Sequence, residues 1–434
     1  MVSTSAHAPN RPAPHGIPHH RVAAIGAGPA NLSLAALAED VLPDDVVLFD
    51  RRPAHAWHPG LMHPGVRLQT SWIKDLTTLV DPRNRLSFLN YLVTTGRVYA
   101  FLNAQFDAIP RLEYDRYLSW AAEQLTNIRY GVDIRDVRFA GAGEGFVLYD
   151  ADGPVATSDH LVVGTGTRPH VPDCFRDRPI PGVLLAEEIG EHFETCRCAP
   201  YEPAVVVGGG QTGAEAVLAL LSYGLREIRW IGRRPWFAPL DDSPPANDFF
   251  RPAYLRHFQA LPGQVRERYV AEQILTSDGV SMSTLQELYQ ANYETWLSEG
   301  RSPVMMLPGR DVVEAGHQDD LVVLRCRRAA GGHERHTARH VVLATGRRPA
   351  PLPLAPDVLD LEPGEEPYVE ADYSLRWKHA DRHKVFVQNR AQSSHGVADP
   401  NLSLLSVRSA AILNSLLERE AFPIRDEQVQ TLWA

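Results

Sequence analysis

Gly26-Ala-Gly28-Pro-Ala-Asn31 and Gly208-Gly-Gly210-Gln-Thr-Gly213 are the two stretches on which the fold turns. Each follows a short β-rich apolar run, Arg21-Val-Ala-Ala-Ile25 in the first copy and Ala204-Val-Val-Val207 in the second. Each opens into a helical pattern, Leu32 to Leu37 and Ala214 to Leu221, and is followed by another strand-like run, Asp45 to Asp50 and Glu227 to Ile231. A strand, a Gly-rich turn, a helix and a strand make one βαβ unit. The first Gly permits the tight turn and the second lets backbone amides approach a pyrophosphate, while the helix N-terminus supplies a positive dipole end. A lone copy would be weak evidence, with a structural Gly turn as the plain alternative. Two copies, both between a strand and a helix, predict two dinucleotide sites.

Working outward, Leu161-Val-Val163-Gly-Thr-Gly166 and Val341-Val-Leu-Ala344-Thr-Gly346 read as buried parallel strands whose glycines let the chain leave the sheet close to a cofactor. Pro235 to Pro252 is Pro-rich, Thr284 to Trp296 is helical in pattern, and Arg325 to Arg339 reads as a hairpin and loop. Leu402 to Leu417 is apolar at helical spacing and predicts a helix that closes the first domain. The expected fold is α/β, with two Rossmann-like dinucleotide-binding domains, the second inserted in the first, and a small substrate-binding subdomain.

Length and composition agree with this. A chain of 434 residues is too long for one ordinary core. Apolar residues make up 44% and charged residues 22%, and no apolar run approaches the ~18 residues of a membrane span. Residues 1–20, rich in Pro, Ala and His, read as a flexible tail and not a signal peptide. A net charge of −10 argues against a general phosphate-binding surface, so neither nucleic acid nor membrane is an expected partner. Cys174, Cys196, Cys198 and Cys326 do not make a disulfide framework, which fits a cytoplasmic location. Cys196 and Cys198 stand too close together for the usual zinc pair, so no metal is expected.

The two nucleotide sites differ. The first copy has Asn31 where a third Gly usually sits, and its second strand ends in Asp50, placed to accept hydrogen bonds from a ribose diol. That implies an adenosine ribose without a 2′-phosphate, as in FAD. The second copy ends its strand with Gly232-Arg233-Arg234 and no acid. Two guanidiniums there suit a 2′-phosphate and favour NADPH over NADH; a solvated Arg pair is the plainer reading. The expected boundaries are 21–198 and 340–434 for an FAD-binding domain and 199–339 for an NADPH-binding domain, with a substrate-contacting segment 240–300.

Longer strings then carry a resemblance: Trp57-His58-Pro-Gly60, Leu68-Gln69-Thr-Ser-Trp-Ile-Lys74-Asp75-Leu, Ser87-Phe-Leu-Asn90-Tyr91-Leu, Gly208-Gly-Gly210-Gln211-Thr212-Gly213-Ala-Glu215, Leu275-Thr-Ser-Asp-Gly279-Val, His395-Gly396 and Pro400-Asn-Leu-Ser403-Leu404. Together with the first Gly-rich turn, they resemble the N-hydroxylating flavin monooxygenases of siderophore biosynthesis, the lysine N6-hydroxylases and ornithine N5-hydroxylases, over roughly residues 20 to 420. The likeness is greatest to the lysine branch. It implies FAD, NADPH and O₂, a small-molecule amine substrate, and a homo-oligomer, tetramer or dimer.

By the same resemblance, Gly26, Gly28, Asn31, Asp50, Trp57, His58 and Gln69 are candidates for FAD, and Gly208, Gly210, Gln211, Thr212, Gly213, Arg233 and Arg234 for NADPH. Gln69, Gln211 and Ser403 are the catalytic candidates. Lys74 matches a Lys set against a substrate carboxylate, Asn247 and Asn292 match Asn residues on the amino-acid end, and Ser403 matches a Ser near the reacting amine. The plain readings are a surface Lys in a polar turn and Asn side chains used as local caps. His58 and His395 are either proton carriers or packing residues.

The implied chemistry has NADPH reduce the flavin, O₂ add at C4a, and the neutral amine attack the distal oxygen of the hydroperoxide. The protein's part is to aim the groups and exclude water. A free lysine amine has a pKa of roughly 10.4, so a pocket that disfavours the ammonium form would raise the reactive fraction. Three rival readings stay open: the same reaction on a diamine such as cadaverine or putrescine, with Glu294 on a distal ammonium; a two-domain flavin reductase; and a flavoprotein sensor.

Overall fold

The structure is a computed structural model that describes residues 16–195, 199–359, 361, 366–428 and 430–433. Cys196, Cys198 and most of the 1–20 segment lie outside the described residues.

The apolar runs become strands: β1 (His19–Ile25), β2 (Val46–Asp50), β3 (Ile128–Tyr130), β4 (Asp136–Gly141), β5 (Gly145–Tyr149) and β6 (Pro154–Val163). Next come β7 (Thr167–Pro169), β8 (Val183–Leu185), β9 (Ala204–Val207), β10 (Ile228–Gly232) and β11 (Val304–Pro308). They are followed by β12 (Arg310–Gln318), β13 (Leu321–Arg328), β14 (His333–Ala338), β15 (His340–Leu343), β16 (Arg347–Pro349) and β17 (Val385–Val387).

The first sheet runs β3-β2-β1-β6-β5-β4, with β17 also on β6. Its β1, β2, β3, β6 and β17 are parallel, while β4 and β5 join as an antiparallel meander. One edge of the long β6 serves two neighbours, pairing with β5 up to Ser158 and with β17 from Leu161 to Val163. Val22 to Ile25 and Val46 to Phe49 are buried throughout, as parallel strands covered on both faces must be. Helix Pro29–Ala38 covers one face and packs on helix Leu405–Leu417, the expected closing helix. A hydrogen bond of 2.9 Å between Ser33 and Ser409 joins the two helices.

The second sheet, β11-β10-β9-β15-β8, is parallel throughout. Its strands correct the expected boundaries, because β8 lies before residue 199 and β15 after residue 339. The reason is local pairing: Val341 to Leu343 bond to Val205 to Val207 on one side and to Val183 to Leu185 on the other. The chain passes between the two sheets at β7 and β16, which pair with each other. The 325–339 region forms β13, its turn and β14, and the 284–296 pattern lies inside helix Met282–Glu299.

The same close approach recurs in both sheets. At Gly26 (φ +93°) a Cβ would lie 2.4 Å from the Gly164 carbonyl oxygen, and at Gly208 (φ +135°) it would lie 1.9 Å from that of Ala344. Any side chain at either place would push the turn off the neighbouring strand. The third position divides the copies. A Cβ on Gly213 would meet the Gly208 oxygen at 2.0 Å, whereas Asn31 directs its amide onto the Gly26 carbonyl at 2.7 Å and fills the space left by Gly164.

Residues 240–278 dock on the C-terminal part of the chain through Phe250, Leu255, Val397, Ala398, Leu404 and Val407. Arg251 fastens the seam by bonding Asp426 at 2.6 Å. Among the described residues no helix is long and apolar enough to cross a membrane.

Behind this seam lies a buried charge that the sequence does not advertise. Arg408 and Asp399 face each other at 3.5 Å with side chains 1% exposed, and Arg408 also donates to Asn389 Oδ1 at 2.6 Å. Removing one member strands the other without solvent. Arg408→Met should therefore cost about 3–5 kcal/mol in urea unfolding, and Arg408→Met/Asp399→Asn should recover much of that loss. An unchanged midpoint in the single variant would show that the pair carries no stability.

Candidate active site at the junction of the two Gly-rich turns

The first turn forms an open cradle. Gly28 caps helix Pro29–Ala38, and the place its Cβ would occupy has nothing within 4 Å. Asp50, at the end of β2, accepts from Ala27 N at 2.7 Å and from Arg52 N at 2.8 Å. Each carboxylate oxygen keeps a second lone pair, which suits a ribose diol. A helix N-terminus, a glycine with room beside it and an acid with spare acceptors fit the adenosine diphosphate part of FAD.

Trp57 and His58 have ring centroids 5.4 Å apart, and Trp57 stands edge-on to Tyr114 at 5.6 Å. His58 is pushed down to about 4 by burial and by Arg347, Arg111 and Arg52. It is therefore neutral at pH 7. His395 is likewise held to about 4, chiefly by burial, and stacks on Tyr373 at 4.0 Å. Both environments favour packing over proton transfer.

The second turn is built the same way. Gly210 caps helix Gln211–Ser222, and nothing stands closer to its missing Cβ than the Asp278 carbonyl at 3.9 Å. Trp230 braces the turn from below, bonding the Gly208 carbonyl at 2.7 Å and stacking on Phe237 at 3.8 Å. Thr212 sits in the first turn of the helix. Arg233 is exposed and Arg234 half-buried just past β10, and neither has an ion-pair partner among the described residues. Burial together with Arg348, Arg176 and Arg233 keeps His170 below the usual imidazole range. This positive neighbourhood fits a phosphate monoester, as on the 2′ position of NADPH.

The cradles meet at two glutamines. Gln69 Nε2 donates to the Gly279 carbonyl at 3.2 Å, to Ser281 Oγ at 3.1 Å and to Gln211 Oε1 at 3.4 Å. Gln211 Oε1 accepts from Ser281 N at 2.8 Å, and its Nε2 donates to Thr284 Oγ1 at 3.1 Å and Glu215 Oε1 at 2.9 Å. Arg111 closes the seam on Glu215 with bonds of 2.8 and 3.2 Å.

Substrate candidates extend from the same loop. Thr70, next to Gln69, shares a 2.9 Å hydrogen bond with Ser403, whose hydroxyl also donates to Asn401 at 2.7 Å. Asp75 shapes the turn by accepting from the backbone N–H of Thr77, Thr78 and Phe88 at 2.7–2.9 Å. Lys74 is half-buried with its ammonium 5.8 Å from the Phe250 ring centroid, and burial lowers its pKa. No carboxylate lies within ion-pair distance of it among the described residues. Asn247, three residues before Phe250, is exposed and donates to the Asp242 carbonyl at 2.8 Å.

Asn292 does not join this group. Its carboxamide donates to Val304 O at 3.1 Å and accepts from Val304 N at 3.0 Å, which pins helix Met282–Glu299 to β11. Each end of the amide holds the backbone of Val304, so Asn292 ties the helix to the second sheet, and its expected substrate contact would have to use the remaining N–H or lone pair. Sequence reading also missed Arg111, Ser281 and Thr284 as parts of the junction, and it quoted Glu215 only as part of a string. Arg111 and Glu215 are 104 positions apart, and no spacing pattern could have joined them.

Two sheets built on parallel strands, each carrying a Gly-rich turn at a helix N-terminus and facing one cleft, define a protein of the two-Rossmann-domain flavoprotein class. Comparison with known proteins narrows this. Residues 18–402 match the family described as L-lysine 6-monooxygenase/L-ornithine 5-monooxygenase. The L-lysine N6-monooxygenase of Escherichia coli is 32% identical over 409 residues, covering 92% of this chain and 95% of the relative. The rhizobactin siderophore biosynthesis protein RhbE of Rhizobium meliloti is 34% identical over 423 residues, covering 93% and 92%. Among solved structures, FAD-bound DfoA, the cadaverine monooxygenase of the desferrioxamine pathway of Erwinia amylovora, superposes with a TM-score of 0.87 at 26% identity, over 96% of this chain and 98% of that one. The chain belongs to the L-lysine 6-monooxygenase/L-ornithine 5-monooxygenase family.

His58, His160 and His395 are each held at about 4, with burial the main cause. The unfolded chain takes up these protons near pH 6.5, and the folded chain does not until about pH 4. Stability should be full above pH 6.5 and fall steadily toward pH 4, as read from urea midpoints. His160→Gln, which lies outside the cleft, should flatten part of that slope; a pH-independent midpoint would contradict these burial effects.

Proposed function

We propose that this chain hydroxylates the terminal primary amine of a basic amino acid, L-lysine first and L-ornithine second, with FAD, NADPH and O₂, for a hydroxamate siderophore or related product. The observation that carries this reading is Lys74, a half-buried cation on the loop that holds Gln69, with no carboxylate in ion-pair distance among the described residues. An amino-acid carboxylate would supply the missing countercharge, whereas the second ammonium of a diamine would be repelled.

FAD, which Gly26, Gly28 and Asp50 would hold, would supply the oxygen chemistry with NADPH as reductant and O₂ as the source of the atom. Lys74 draws the carboxylate end, and Asn247 adds a polar rim. Phe250 and Leu404, both buried, wall off the region around Ser403 and disfavour the ammonium form of the amine. Ser403 Oγ orients the amine through its remaining hydrogen-bonding capacity, while Gln69 and Gln211 keep the two nucleotides on facing sides of the cleft. A second reading, oxidation of a diamine, draws support from the overall likeness to the cadaverine monooxygenase.

Hydroxylamine formation with lysine, ornithine, cadaverine and putrescine, at saturating NADPH and FAD, separates these readings. Lysine should turn over with the highest kcat/KM. Lys74→Ala should raise the lysine KM by about 10–100-fold, as for a lost charge-assisted contact, and leave turnover of cadaverine intact. Preference for a diamine, together with an unaffected lysine KM in the variant, would reject the carboxylate assignment. For the nucleotide, Arg233→Ala/Arg234→Ala should raise the KM for NADPH at least tenfold and leave that for NADH nearly unchanged; equal losses for both would remove the 2′-phosphate role.

A further inference from the structure

Glu215 is 5% exposed in the helix behind the second Gly-rich turn, and the proposed reaction gives it no role. Arg111 reaches across from the first domain and holds it with bonds of 2.8 and 3.2 Å. A carboxylate paired in this way only accepts hydrogen bonds, and that has a directional consequence. The Gln211 atom 2.9 Å from Glu215 must be the amide nitrogen. The other end of the same amide meets the backbone N–H of Ser281, a pure donor, at 2.8 Å and must be oxygen. That oxygen accepts from Gln69 Nε2 at 3.4 Å, and the Gly279 carbonyl, a pure acceptor, takes the same nitrogen at 3.2 Å. What remains is Gln69 Oε1, on an exposed side chain facing the cleft, to which no described residue donates.

We propose that Glu215 is a positioning residue whose charge, anchored by Arg111, sets the direction of a two-amide relay through Gln211 and Gln69, so that Gln69 offers the cleft an acceptor for an N–H group on a redox ring. This rests on the reading of the cleft as the meeting place of two dinucleotides. Without the charge at Glu215, the nitrogen end of Gln211 keeps only the Thr284 hydroxyl, which can donate as well as accept, so the direction of Gln211 rests on the Ser281 N–H alone and that of Gln69 on the Gly279 carbonyl alone. Two rings carry a suitable N–H at the reacting edge: nicotinamide, on its carboxamide in either oxidation state, and isoalloxazine, whose N3–H is always present but whose reacting N5 carries a hydrogen only when reduced.

The test uses the FAD-loaded enzyme and needs no amine substrate, so it reads out whether or not lysine is the substrate. NADP⁺ binding to the oxidised enzyme is measured by calorimetry, the flavin midpoint potential is measured without nucleotide, and FAD affinity is measured alongside. Glu215→Gln keeps the shape and removes the charge. If the carboxamide is the donor, the Kd for NADP⁺ should rise about tenfold, as for one lost hydrogen bond. If reduced N5–H is the donor, the midpoint potential should fall instead.

In either case FAD affinity should hold, Gln69→Leu should shift the same quantity, and Glu215→Gln/Gln69→Leu should lose no more than Gln69→Leu alone. Arg111→Lys, which keeps the charge but not the two-pronged grip, should shift the same quantity less and stands in if Glu215→Gln fails to fold. Additive losses in the double variant, no change in either quantity, or loss of FAD affinity on Glu215→Gln would each overturn the relay.

Discussion

The ion pair between Arg111 and Glu215 joins the two halves beside the cleft, next to the bonds that Gln69 makes to Gly279, Ser281 and Gln211. Arg111 opens the helix Arg111–Gln124 of the first domain, and Glu215 lies one turn into the helix behind the second Gly-rich loop. With side chains 13% and 5% exposed, the pair is sheltered enough for its direction and spacing to matter. It keeps the two helix N-termini aimed at one cleft. Gln211 bonds to the same carboxylate and carries the contact on to Gln69, Ser281 and Thr284.

A second constraint is steric and appears twice. Each Gly-rich turn must leave its strand against the carbonyl of the next strand, Gly164 in one sheet and Ala344 in the other. Glycine is required there whatever the ligand. At the third position the two halves found different solutions. Gly213 removes the side chain, whereas Asn31 keeps one and compensates through Gly164 and the carbonyls of Ile25 and Gly26. A departure from the usual spacing thus preserves the cradle.

The region proposed for substrate follows a different logic. Lys74, Phe250 and Ser403 come from three distant segments, and only the docking of 240–278 on the C-terminal region brings them to one wall. Leaving a half-buried ammonium without a carboxylate costs solvation, which the Phe250 ring face offsets in part. Such a cation is suited to receive an anionic group from outside. The buried Arg408 differs, since the Asp399 carboxylate 3.5 Å away already supplies its countercharge.

The loop that carries Gln69 and Lys74 was legible only through a family resemblance, whereas the patterning of the sequence itself determined the two βαβ units and the glycines that each turn needs. Those features are local: a strand's periodicity, a turn's φ and a helix N-terminus are all set within some thirty residues. Tertiary structure decided the rest. It moved β8 and β15 into the second sheet, because strand pairing depends on which buried edge is free and leaves no mark in composition. It turned Asn292 toward the backbone of Val304, and it joined Arg111 to Glu215 across 104 positions. Long-range polar pairs of this kind arise from where packed elements place two side chains, and neither residue carries its partner's position in its own neighbourhood.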